Sequence, residues 1–186
     1  SEIEDVVKKL RDLSERNVRD IDRLVKEIDE LLKRDKEEIK RVVDDIKRRV
    51  REIKKIIEED RDKEKLRELV RKVEEDLEEI VKEVKRHSDE LAKRLREIVE
   101  RVKRHSEEVI KTLRELVDRV RKRVREEKEM LDRLRKVVDE LVKENKKAVE
   151  DLKKRVEDVI RESKRVVEEA RRVVDELKKE LRDELK

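Results

Sequence analysis

Apolar residues return along the chain at steps of 18. Ile3, Ile21, Ile39 and Ile57 form one series, Leu66, Val84, Val102 and Val120 a second, and Leu131, Val149, Val167 and Leu185 a third. Eighteen residues make five turns at about 3.6 residues per turn, so each apolar stripe runs parallel to its helix axis and does not drift as a heptad stripe does. Long, nearly straight (untwisted) helices are expected.

Two stretches interrupt the apolar pattern. Between Ile57 and Leu66 the chain reads EEDRDKEK, and between Val124 and Met130 it reads REEKE. These longest gaps are the expected turns. Asp60 or Asp62 is placed to cap the helix that follows the first gap. The second gap has no comparable cap, and Val120 to Val138 is again a step of 18, so helical phase alone does not separate the helices there. RDKEE, RHSDE and RHSEE look like helix starts, and Asp35 and Glu38 have capping-box spacing. The 18-residue series passes through all three undisturbed, whereas a loop normally resets helical phase; they are read as helix interior. The expected fold is all-α, a long antiparallel three-helix bundle. Its helices cover about 2–58, 64–123 and 128–185, each roughly 58–60 residues and 87–90 Å long at 1.5 Å per residue. Residues 1–186 are expected to form one domain.

Polar residues break the stripe at a few places. With the chain folded back at residues 61 and 125, facing positions on neighbouring antiparallel helices have numbers totalling about 122 and 250. Asn17 with His105, and Asp35 with His87, meet the first total; His105 with Asn145, and His87 with Ser163, meet the second. The polar residues thus fall into two cross-sections that each draw on every helix. Asn17, His105 and Asn145, with Ser14 and Ser106 nearby, are expected to form one hydrogen-bonded layer. Asp35, His87 and Ser163, with Ser88 nearby, form the other, about 27 Å away along the helices. A lone polar group on an apolar seam is costly, while a closed set of donors and acceptors is tolerated and fixes register. Thr112 is expected at the stripe edge, bonding back to its own helix. Met130 is expected to fill space beside the second turn.

Composition narrows the class further. Charged residues make up 61% of the 186, apolar residues 33%, and Gly, Pro, Cys, Phe, Trp and Tyr are absent. Natural domains carry about 7% Gly and 5% Pro, so losing both looks chosen. Lys plus Arg number 59 and Asp plus Glu 55, a net charge of only +4. With the two signs interspersed and no aromatic residue for a base to stack on, no nucleic-acid partner is expected. No run approaches the ~20 apolar residues of a membrane span, so no membrane partner is expected either. The chain start, SEIEDVVKKL, lacks a signal-peptide core. A soluble protein suited to recombinant cytoplasmic expression is expected, with no targeting signal to set a localisation. The lack of cysteine makes it indifferent to redox compartment.

Asp35, His87 and Ser163 have the residue types of a hydrolase triad. Helix-interior N–H groups are already bonded and leave no oxyanion hole, and the other layer has Asn where a triad needs Asp and Ser. No catalytic residue and no enzyme activity are expected. Two histidines some 27 Å apart cannot share an ion, and neither layer by itself offers three good ligands. No metal and no cofactor are expected.

Straight 18-residue-repeat helices, seams of Leu, Val and Ile, Lys/Arg/Glu surfaces and paired polar layers resemble computationally designed parametric three-helix bundles with built-in hydrogen-bond networks. The resemblance spans the whole chain. It implies a thermostable scaffold without a natural biochemical function, ligand or required partner, its polar layers specifying helix pairing and register. A monomer is expected. The alternative is an interaction module, a homo-oligomeric coiled-coil rod whose stripe binds partner helices.

Overall fold

The computed structural model describes residues 2–124 and 127–186. Among these it forms three α-helices: α1 (Glu2–Glu59), α2 (Lys63–Arg123) and α3 (Lys128–Glu184). The helices run unbroken through the three stretches that resemble helix starts, at 34–38, 86–90 and 104–108. Valine is a modest helix former because its branched side chain is stiff at χ1. Burial of one apolar face supplies what propensity does not. The outer faces add solvent-screened pairs one turn apart, such as Arg71 with Glu68 at 2.6 Å and Arg86 with Glu83 at 2.7 Å.

The first turn is built from two aspartates. The Asp62 carboxylate accepts the Lys65 N–H at 3.3 Å and the Asp62 carbonyl accepts the Leu66 N–H at 3.1 Å, which makes Asp62 the N-cap of α2. Asp60 braces it, its Oδ1 accepting the Asp62 N–H at 3.1 Å. No described residue has a positive φ, so the turn needs no glycine. α2 closes on Arg121, Lys122 and Arg123, cations that suit the carbonyl end of a helix. The expected fold-back point at residue 125 lies outside the described residues. On its far side, the Glu127 carbonyl accepts the Leu131 N–H at 3.1 Å as α3 begins.

The helices gather into two compact units, Ser1–Asp29 with Arg94–Glu157, and Glu30–Lys93 with Asp158–Lys186. In the first, the start of α1 meets the end of α2 and the start of α3, so consecutive helices are antiparallel. Its core lies between the three segments around Leu10, Leu113 and Leu134, all with no exposed surface. Met130 packs against this cluster, half-buried. The second unit centres on Val50, Leu77, Val174 and Leu181. Fully burying each such side chain contributes about 1.5–3 kcal/mol. Ile3, Ile21, Ile39 and Ile57 are all buried, while Val84, Val102, Leu131 and Leu185 sit at the stripe edge, half-buried. Thr112 donates its hydroxyl to the Glu108 carbonyl at 3.0 Å, one turn back on α2.

Candidate functional site

In the first unit, four side chains form a buried chain of hydrogen bonds. Asn17 Nδ2 donates to Ser106 Oγ at 3.0 Å and to Asn145 Oδ1 at 2.8 Å. Asn145 Nδ2 donates to Ser14 Oγ at 2.6 Å and to the Leu141 carbonyl at 2.7 Å. Each amide group thereby uses both of its N–H bonds, leaving no donor orphaned in the apolar interior. Ser14 and Asn17 come from α1, Ser106 from α2 and Asn145 from α3.

His105 is not in that chain. It is exposed, at the rim of an open groove with Asn17, Asp20 and Arg101, while its neighbour Ser106 takes the buried position. The physical reason is azimuth. Numbers that total a constant match heights along antiparallel helices, but one residue of sequence also turns the side chain by about 100°. The 18-residue columns carried part of the missing information: Ser88 and Ser106 share a column with Val70 and Val124, apolar at both ends, whereas the histidines share theirs with half-buried Leu69 and exposed Arg123.

The second unit holds Asp35, Ser88 and Ser163, all buried. Ser88 and Ser163 share a hydrogen bond between their hydroxyls at 2.7 Å. His87 lies at the edge, 60% exposed, with Nε2 at 3.1 Å from Oδ1 of Asp35, whose side chain is only 5% exposed. That separation suits an ion pair, yet Oδ1 takes no hydrogen bond, so no N–H bond of the ring is aligned on it. Burial raises the Asp35 pKa above the ordinary 3.8 by stripping water from the carboxylate; the imidazole of His87 opposes this, the charge of Glu38 adds to it and Ser163 lowers it. Ser163 is itself buried with its hydroxyl on Ser88, away from solvent.

Glu38 is the residue that reading the sequence for polar layers missed. It stands one turn after Asp35 on α1, exposed, and one carboxylate oxygen each from Asp35 and Glu38 and one ring nitrogen of His87 lie within 4.8 Å of one another. The spacing of Asp35 and Glu38 was the available signal, and it reads as a capping box unless the facing histidine is considered with it. The expected layer itself supplies two such donors, Asp35 and His87; Glu38, outside it, brings a second carboxylate near them.

No family model and no curated protein matches the chain. Among solved structures, a computationally designed three helix bundle matches with a TM-score of 0.70 and 19% identity, over 99% of this chain and 89% of that one. The fold is that of a three-helix bundle. Likeness at this level of identity concerns the backbone arrangement alone. Among the described residues, no helix of the bundle is long and apolar enough to cross a membrane.

Proposed function

We propose that the chain is a de novo designed structural scaffold, residues 1–186 forming one domain, in which the buried polar sets specify helix pairing and register. The observation that supports this reading most is the hydrogen-bond chain Ser106–Asn17–Asn145–Ser14, which draws on all three helices and employs every amide N–H it contains. Seams of Leu, Val and Ile repeating every 18 residues oppose a five-turn slip only weakly. The polar sets oppose it because they differ: Leu32 and Asp35 stand in the second repeat where Ser14 and Asn17 stand in the first. A slipped helix therefore sets an amide against a partner it cannot satisfy, at about 1–3 kcal/mol for each stranded group. The reading assigns no catalytic residue and no required partner.

Joint replacement of Ser14, Asn17, Ser106 and Asn145 by Leu, Ile or Val tests it. Helix content and thermal stability are expected to stay equal or rise, since well-packed apolar groups replace buried polar ones. Light scattering over a range of concentrations is expected to give a monomer for the parent and a mixture with oligomers for the variant. A parent that associates with concentration supports the interaction-module alternative instead.

A further inference from the structure

We propose that Asp35, Glu38 and His87 form a binding site for a divalent transition-metal ion such as Zn²⁺ or Co²⁺. The reading goes beyond the scaffold role and does not rest on it. Among the described residues this is the one group of three such side chains whose ligand atoms converge.

The donor chemistry fits. Imidazole nitrogen and carboxylate oxygen are the ligands of open, water-accessible zinc sites, which keep three protein ligands and leave the fourth position to solvent. Donor atoms held tetrahedrally at about 2.0–2.1 Å from an ion stand about 3.3 Å apart. His87 Nε2 and Asp35 Oδ1 stand 3.1 Å apart. A hydrogen bond points one atom at the other; co-ligands instead point at a third place between them. The contact here is close, and Oδ1 has no hydrogen bond of good geometry, so the oxygen is open to a further partner.

Two further observations separate this site from an ordinary acidic surface. The Asp35 side chain is 5% exposed and its Oδ1 is a buried oxygen without a hydrogen-bond partner, in contact with the imidazole. A cation there supplies the charge that burial withholds. The preceding repeat provides a control in the same chain: Asn17, Asp20 and His105 stand 18 residues away from Asp35, Glu38 and His87. There the buried position is an amide whose N–H groups are already donated to Ser106 and Asn145. His105 therefore lacks the buried carboxylate that His87 has. Both Glu38 and His87 are exposed, so the ion has a path from solvent, and the flexible Glu38 side chain closes the remaining distance.

The test is a Co²⁺ titration of the full chain near pH 7.5, read by visible absorption, with Zn²⁺ competition and histidine NMR signals as second readouts. Saturation at one equivalent is expected, with Zn²⁺ displacing the cobalt and shifting the His87 ring signals but not those of His105. His87→Ala and Glu38→Gln each weaken binding by more than about tenfold, while His105→Ala leaves it unchanged. All three substitutions are at exposed positions, and circular dichroism verifies that the helices persist. No saturable binding, binding that survives His87→Ala, or equal loss on His105→Ala overturns the site. Loss on His87→Ala without loss on Glu38→Gln overturns its three-ligand composition.

Discussion

Asn17 and Asp35 occupy the same place in successive 18-residue repeats of α1, and both are buried. The amide finds acceptors for both its hydrogens; the carboxylate keeps one oxygen without a hydrogen bond and a pKa raised by burial. A raised carboxyl pKa means that the folded chain holds a proton the unfolded chain has released. The Asp35 contribution to stability is thus full below about 3.8 and is lost as pH rises through the folded pKa. Asp35→Asn is expected to match the parent near pH 3 and to exceed it by about 1–3 kcal/mol at pH 7, in denaturant unfolding at a series of pH values without added metal. A difference that does not change with pH contradicts this origin. The sequence made the polar interruptions visible because apolar periodicity was otherwise so regular. Which of two adjacent residues, His105 or Ser106, turns inward was a matter of about 100° of rotation, for which the columns give a leaning only: Val70 and Val124 with the serines, Leu69 and Arg123 with the histidines.

At the scale of the helices, the breaks fall where apolar residues lapse, because a helix without a face to bury loses its tertiary support. The first break was legible in two further ways, through Asp60 and Asp62, and Asp62 is the residue that caps α2. The second carries no such capping residue, and its 18-residue phase continues across from Val120 to Val138. Its clearest mark is the basic run Arg121, Lys122, Arg123 at the end of α2, which favours the carbonyl end of the helix dipole. Asp62→Ala is expected to lower stability by about 1 kcal/mol, read as a shift in the denaturant midpoint without a change in slope. An unchanged midpoint contradicts the capping role of Asp62.

For the molecule as a whole, charge is nearly balanced, Lys plus Arg numbering 59 and Asp plus Glu 55, and the proposed reading gives the choice of helix pairing to the apolar seams and their few polar members. The boundaries of the two compact units fall inside helices rather than at turns. The first unit contains His105 and the second His87. Their NMR signals are expected to disappear at the same denaturant concentration as the far-ultraviolet ellipticity; two separate midpoints contradict one cooperative domain. The central claim, that polar sets specify register, is tested most directly by a distance. The chain has no cysteine, so Arg16→Cys and Lys147→Cys, at exposed positions of the first unit, accept spin labels for pulsed electron resonance. In the parent background a single distance population is expected. With Ser14, Asn17, Asp35, Ser88, Ser106, Asn145 and Ser163 all made apolar, additional populations are expected from helices slipped by five turns, an axial offset of about 27 Å. A single population at the parent distance in that variant contradicts the claim, because the turns and surface charges then hold the register without the polar sets.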